Sequence, residues 1–158
     1  MAYAIRKAVP EDEHRIRALF VEMLQTIYHT ADVTGYEEGY LDKYWNNRED
    51  RIYVAEENDT VIAFLSVEVY REPKEYIYLD DLSVTEPCRG KGIGTELIRT
   101  AESYAEAIGI PVIIFHVEKS NNSAFRLYKR LGYSIYQEDG SRYLMIKNRE
   151  SQSINCMV

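Results

Sequence analysis

The sequence predicts one α/β domain, a mixed and largely antiparallel sheet of about seven strands with helices packed against it. Three observations predict this. Seven short stretches rich in Val, Ile, Tyr and Phe are bounded by turn residues. Longer stretches between some of them repeat apolar residues at helical spacing. One strand–helix–strand succession in the second half implies two parallel neighbours.

Tyr3 to Val9 alternates well enough for a first strand. Pro10-Glu11-Asp12-Glu13 then opens a helix, with a proline and acids suited to a first turn. Ile16, Leu19, Phe20, Met23, Leu24 and Ile27 continue it as an apolar stripe to about Tyr28. Thr30 to Asn47 supports two readings. Tyr36, Tyr40, Tyr44 and Trp45 recur at near-helical spacing with Glu37, Glu38 and Asp42 among them, while Gly35 and Gly39 weaken a helix. The stretch is either a short amphipathic helix covering the sheet or an aromatic and acidic wall for an amine, since both group types attract cations.

Arg51 to Glu57 and Thr60 to Tyr70 read as strands joined by a hairpin turn at Asn58-Asp59. Tyr76 to Val84 is a fourth strand, and it carries Asp80 and Asp81, two acids that a buried strand would ordinarily avoid. A helix from about Gly92 to Ala107 is stopped by Gly109, and Val112 to Val117 follows as a strand. A second helix spans about Ser120 to Leu131, capped by Ser120 or Asn121 and ended at Gly132. Tyr133 to Glu138 and Tyr143 to Lys147 form a last hairpin across Asp139-Gly140-Ser141. The domain so read covers residues 1–148, and residues 149–158 are polar and aperiodic, as in a frayed tail.

The chain has 158 residues, 46% apolar and 28% charged, which is enough for one sizeable core. No apolar run approaches the roughly 20 residues that cross a bilayer. Its first residues lack the long apolar region of a signal peptide, so the expected location is the cytoplasm, away from the membrane. Cys88 and Cys156 are not expected to pair in a reducing compartment. No Cys/His spacing suggests a metal site. A net charge of −7 argues against a general nucleic-acid binder.

Between the fourth strand and its helix lies Arg89-Gly90-Lys91-Gly92-Ile93-Gly94. Glycine lets backbone amides approach a ligand closely, and a helix N-terminus adds unpaired donors and a positive dipole end. Together they make a seat for phosphate or pyrophosphate. The loop is not a Walker loop, because no Gly-Lys-Ser/Thr ends it, nor does it open a first βαβ unit as a dinucleotide fingerprint does.

A second pattern follows at Asn121, Ala124, Leu127-Tyr128 and Leu131-Gly132-Tyr133. Here the sequence resembles the GNAT superfamily of acetyl-coenzyme A-dependent N-acetyltransferases. Arg89, Gly92 and Gly94 fit that family's Arg/Gln-x-x-Gly-x-Gly/Ala signature, and Asn121 to Tyr133 fits its Asn-x-x-Ala-x-x-Leu-Tyr-x-x-Leu-Gly-Phe/Tyr pattern. The resemblance implies helices on both sheet faces and splayed fourth and fifth strands. It implies that the amides of Gly90, Lys91, Gly92, Ile93, Gly94 and Thr95 hold the coenzyme A pyrophosphate, with Arg89 and Lys91 adding charge. The fourth-strand segment Leu82, Ser83 and Val84 would lie along the pantetheine, with Leu82 and Val84 lending backbone hydrogen bonds. Asn121 would help place the pantetheine or acetyl end, or would simply cap its helix.

The implied reaction is attack of an amine on a thioester. The attacking nitrogen must be neutral, yet an alkylamine is mostly protonated at pH 7. A nearby carboxylate can take that proton. Diamine acetyltransferases have a similar Tyr-Leu-acid-Asp run, which makes Asp80 the first choice for the base or amine-binding acid and Asp81 the second. His116 is the rival base. Tyr128 matches the family's tyrosine acid, which protonates the leaving thiolate. A Val84 N–H would meet the oxyanion. Tyr36, Glu37 and Tyr40 are the candidate acceptor-binding residues, and the acceptor is a polyamine-like small amine, an aminoglycoside-like compound, or a peptide N-terminus or lysine. The mechanism requires no metal and no covalent role for Cys88. Homodimerisation follows only as a family habit. The competing class is a non-catalytic acyl-coenzyme A-binding sensor on the same fold.

Overall fold

The computed structural model describes residues 2–46 and 48–149. Its elements in chain order are β1 (Ala4–Lys7), α1 (Glu13–Tyr28), α2 (Asp42–Asn46), β2 (Arg51–Glu57), β3 (Thr60–Tyr70), β4 (Tyr76–Val84), α3 (Ile93–Ala107), β5 (Val112–Glu118), α4 (Asn122–Arg130), β6 (Ser134–Asp139) and β7 (Arg142–Asn148). The strands form one mostly antiparallel sheet in the order β1-β2-β3-β4-β5-β7-β6. The chain gathers into two compact units, Met1–Glu68 with Asp81–Ala101, and Val69–Asp80 with Glu102–Val158.

In the first unit, β1 and β3 pair antiparallel with β2 on either side, for example Ile5↔Ala55 and Val54↔Phe64. The β2–β3 hairpin turns at Asn58 and Asp59, both left-handed at φ 51° and 62°. Two such residues give the turn a twist that matches the flanking strands, and Asn and Asp tolerate the conformation. A core of Ile16, Leu19, Leu41, Tyr44, Ile52, Val54, Val61 and Phe64 lies between α1, α2 and these strands. α1 starts after a 3-10 turn at Pro10–Asp12, where the Asp12 carboxylate accepts the Val9 N–H at 2.9 Å. Helices cover both faces of the end of β4. The Ser83 hydroxyl donates to Leu19 O of α1 at 2.9 Å, while Leu82 faces Gly94 of α3.

In the second unit, β4 pairs parallel with β5 through Ile77↔Ile113 and Tyr78↔Ile114, a ladder of two residue pairs. β5 then pairs antiparallel with β7 from Val112↔Asn148 to Glu118↔Arg142, and β6 closes onto β7 as a hairpin. Ile113, Phe115 and Val117 are buried while His116 is not, as a period of two requires. α4 ends at Gly132, left-handed at φ 98°, with Tyr133 N donating to Tyr128 O at 3.0 Å and Gly132 N to Lys129 O at 3.1 Å. Those bonds satisfy carbonyls that the last turn leaves open.

The expected elements are present with adjusted limits. The first strand is Ala4–Lys7 rather than Tyr3 to Val9. The helix expected within Thr30 to Asn47 shrinks to Asp42–Asn46, because Gly39 is left-handed at φ 80°. The second long helix begins one residue later, at Ile93. α4 starts at Asn122, with Asn121 rather than Ser120 as its cap. At the start of the expected tail, Arg149 donates to Glu102 O at 2.5 Å and to Glu106 Oε2 at 3.2 Å. The remainder of that tail, with Cys156, lies outside the described residues. No helix among the described residues is long and apolar enough to cross a membrane.

Candidate functional site

The glycine loop adopts the conformation its composition predicts. Gly90 and Gly92 are left-handed, at φ 77° and 84°, and a Cβ built on either would meet no heavy atom within 4 Å. Neither glycine is therefore required by crowding within the protein. At Gly94, already helical, an added Cβ would meet only Leu82 Cδ2 at 3.7 Å, an ordinary contact. Ile93 is fully buried and pins the start of α3. Glu96 is the first residue whose amide bonds back, to Gly92 O at 3.1 Å. Among the described residues the amides of Gly90, Gly92, Ile93, Gly94 and Thr95 have no protein acceptor. Several unpaired donors converge on a helix N-terminus beneath open space, and an anionic group fits there.

Arg89 is placed differently from the expected phosphate ligand. Its Nε donates to Val84 O at 2.8 Å, and its Nη2 donates to Glu22 Oε2 at 3.1 Å and Thr26 Oγ1 at 3.4 Å. The guanidinium thus points back to α1. Lys91 is exposed on the loop. Cys88 is buried with a free thiol, in a packing position.

The acid and aromatic residues of the first unit form a connected wall. Tyr36 stacks on Phe20 at 3.7 Å and on Tyr40 at 4.7 Å between ring centroids. Its hydroxyl donates to Asp81 Oδ2 at 2.5 Å. Tyr40 is exposed, and Lys43 Nζ lies 4.9 Å from its ring centre. Glu37 is exposed, and its carbonyl accepts from Arg17. Tyr44 is core, with its hydroxyl on Glu68, a buried carboxylate that also takes Lys43 Nζ at 2.7 Å. Trp45 donates to Glu13 Oε1 at 3.0 Å. The wall therefore holds two carboxylates, Asp81 and Glu68, already partnered by phenols and, for Glu68, a lysine.

In the second unit, Asn121 caps α4, its Oδ1 accepting from Ala124 N at 3.3 Å. Its side-chain nitrogen, Nδ2, has no partner among the described residues. Tyr128 sets its ring edge-on to Phe115, with centroids 4.4 Å apart. Burial pushes its phenol up to about 12. The hydroxyl makes no hydrogen bond to the described residues. It is a protonated donor, and nothing among the described residues competes for its proton. Tyr133 is fully buried and donates to Glu102 Oε2 at 2.9 Å, and burial raises its phenol.

His116 has two partners that sequence reasoning missed. Its Nδ1 lies 2.7 Å from the Tyr78 hydroxyl and its Nε2 lies 2.9 Å from Asp139 Oδ2. The His116 ring beside Asp139 is the chief cause holding that carboxyl below its ordinary value. With Nε2–H donating to the carboxylate, Nδ1 is left to accept from Tyr78. Strand alternation could have put Tyr78 beside a fifth-strand residue, but Asp139 arrives through a hairpin whose pairing partner the sequence does not state. Asp80, the first-choice acid, is half-buried on β4.

The sequence model of the acetyltransferase (GNAT) family matches residues 8–133. The chain is 31% identical over 153 residues to an uncharacterized N-acetyltransferase of Methanocaldococcus jannaschii, covering 92% of this chain and 91% of that protein. It is 31% identical over 134 residues to an uncharacterized N-acetyltransferase of Bacillus subtilis, covering 82% and 88%. The crystal structure of PaiA N-acetyltransferase from Thermoplasma acidophilum, in complex with coenzyme A, matches with a TM-score of 0.77 at 23% identity, over 94% of this chain and 99% of that one. At that identity the last likeness carries the fold alone.

Proposed function

The chain belongs to the acetyltransferase (GNAT) family, and from that premise we propose that it transfers the acetyl group of acetyl-coenzyme A to a primary amine by direct attack in a ternary complex. The observation that carries the donor half is the set of amides of Gly90, Gly92, Ile93, Gly94 and Thr95, which have no acceptor among the described residues, at the start of α3. They would hold the pyrophosphate. Leu82, Ser83 and Val84 would flank the pantetheine, with the Ser83 side chain turned away to α1.

The amine nitrogen attacks the thioester carbonyl, a C–N bond forms and the C–S bond breaks. The thiolate takes the Tyr128 proton, which is on the phenol at neutral pH and which burial binds more firmly still. The proton lost by the amine passes to Asp80 or Asp81. Asp81 accepts from Tyr36, which ties it to the aromatic wall. A second reading of the base is favoured by the Tyr78–His116–Asp139 chain. There the imidazole would take the proton through the Tyr78 hydroxyl, and Asp139 would stabilise the imidazolium.

The acceptor is a cationic amine, with Tyr36, Glu37 and Tyr40 among its contacts. A small polyamine-like amine and a peptide N-terminus or lysine are the two classes the wall suits. The test is coenzyme A thiol release against a panel of small amines, aminoglycosides and peptides, with mass detection of the acetylated product. Acetylation of one class identifies the acceptor. Tight acetyl-coenzyme A binding with no turnover on any amine would replace the enzyme by an acyl-coenzyme A-binding module.

A further inference from the structure

Glu22, in α1, belongs to none of the residue sets assigned above. Its side chain is about one-third exposed, and its two oxygens take three donors. Oε1 accepts from Thr85 Oγ1 at 3.0 Å, and Oε2 accepts from Glu86 N at 2.9 Å and Arg89 Nη2 at 3.1 Å. All three donors lie in the short turn that ends at Gly90. That turn is otherwise held by Cys88 N to Thr85 O at 2.9 Å, Arg89 N to Glu86 O at 3.2 Å and Arg89 Nε to Val84 O at 2.8 Å.

We propose that Glu22 is a positioning residue for the donor seat: it fixes the 85–89 turn to α1 and so holds the glycine loop in the conformation that presents its amides to the pyrophosphate. The inference rests on the reading of Gly90 to Thr95 as that seat. The physical need is specific. Gly90 and Gly92 are left-handed, and a Cβ at either would meet nothing within 4 Å, so neither glycine packs to order the loop. Its flanks supply order that the glycines do not. Ile93 supplies it on the α3 side, buried at 1% exposure, and Glu22 supplies it on the β4 side.

Two effects oppose each other when Glu22 is removed. A carboxylate near an anion seat repels the anion, so its loss should tighten coenzyme A binding. Loss of three ties should loosen the loop and weaken binding. The charge effect is small, because Arg89 at 3.1 Å already offsets the carboxylate and both side chains are about one-third exposed, where solvent screens them. The ordering effect is larger. If the loop holds the competent conformation only about a tenth of the time, apparent affinity falls about tenfold. The sign of the change therefore separates the two.

The experiment measures, by calorimetry, the affinities of coenzyme A and of pantetheine, which lacks the pyrophosphate, for the wild type and for Glu22→Ala and Glu22→Gln. The expected result is a coenzyme A over pantetheine affinity ratio lowered about tenfold in Glu22→Ala and less in Glu22→Gln, which keeps one acceptor oxygen. The loss should persist at high salt. A general loosening of the fold would weaken both ligands alike and leave the ratio unmoved, and that overturns the proposal. A raised ratio also overturns it, because charge would then dominate. Should Glu22→Ala not fold, Glu22→Gln with Thr85→Val carries the same comparison, each removing part of the attachment. A wild type that binds both ligands equally overturns the pyrophosphate seat itself, and the proposal with it. A wild type that prefers coenzyme A, with variants that keep the full preference, overturns the role of Glu22 alone.

Discussion

Replacing Gly92 with alanine separates what the fold needs at this position from what the ligand needs. Gly92 sits at φ 84°, where an L-residue is strained, and its added Cβ would meet no protein atom within 4 Å. The cost to the fold is thus confined to the backbone, roughly 1–2 kcal/mol. For a chain of this length that lowers the melting temperature by about 2–8 °C. The cost to the ligand is of another kind. The methyl group projects beside amides that would approach phosphate oxygens to hydrogen-bond distance. Displacing the anion from even two charged hydrogen bonds removes roughly 3 kcal/mol or more, and the dissociation constant of coenzyme A should rise about 100-fold or more. Gly109 supplies the control. It is also left-handed, at φ 77°, with nothing within 4 Å, but it lies past the far end of α3. Gly109→Ala should show the same thermal loss with unchanged coenzyme A affinity. Differential scanning fluorimetry and calorimetry read both quantities. A folded Gly92→Ala variant that binds coenzyme A within about threefold of the wild type would refute the pyrophosphate assignment.

Tyr128→Phe should lower turnover about 100-fold while leaving acetyl-coenzyme A affinity nearly unchanged; wild-type turnover at every pH would remove the acid role. Because its phenol stands near 12, the protonated donor is fully present below that value and is lost only above it, so the pH–rate profile should show no alkaline fall from this group at neutral or mildly basic pH. Asn121→Asp keeps the cap acceptor for Ala124 N but removes the amide donors. Stability should hold within about 0.5 kcal/mol, while a role at the donor predicts a loss of roughly tenfold in kcat/KM for acetyl-coenzyme A. Unchanged kinetics would make Asn121 a cap alone. Asp12 is held below the usual carboxylate range, first by the Arg6 guanidinium at 2.8 Å and also by the Val9 amide. A depressed folded value means that the unfolded chain binds the proton more readily, so this stability is present above about pH 4 and is lost as pH falls further. Urea midpoints measured from pH 6 downward should show a steeper acid decline in the wild type than in Asp12→Asn, and equal slopes would discount the pair.

How much could be read from the sequence depended on whether backbone or side chains make the feature. The Asn58-Asp59 hairpin, the strand Tyr76–Val84, the cap at Asn121 and the glycine loop were all legible, because each is set by residues close together in the chain. The stretch from Thr30 to Asn47 was not. Its aromatic spacing suits a helix, yet Gly39 takes φ 80°, and each ring answers to a distant partner: Tyr36 to Asp81, Tyr44 to Glu68, Trp45 to Glu13. The partners of Arg89 were hidden for the same reason. A cation in a glycine loop reads as a phosphate ligand, and nothing local shows that Glu22, 67 positions earlier, also bonds to it. The His116 chain joins three strands across separations of 38 and 23 residues, and Asp139 reaches it from β6, which the sheet order sets beyond β7 from β5. The division follows the proposed chemistry. A pyrophosphate seat made of amides is a backbone object, and glycine writes backbone conformation locally. An acceptor site is made of carboxylates and rings whose availability depends on which neighbours already hold them. Asp81 and Glu68 look in sequence like open acids, yet Tyr36 and Lys43 already bond to them. An incoming ammonium must therefore share Asp81 with the Tyr36 phenol and Glu68 with Lys43 and the Tyr44 phenol. Lys43 already offsets the charge an ammonium would seek at Glu68, so Asp81 is the acid to test before it.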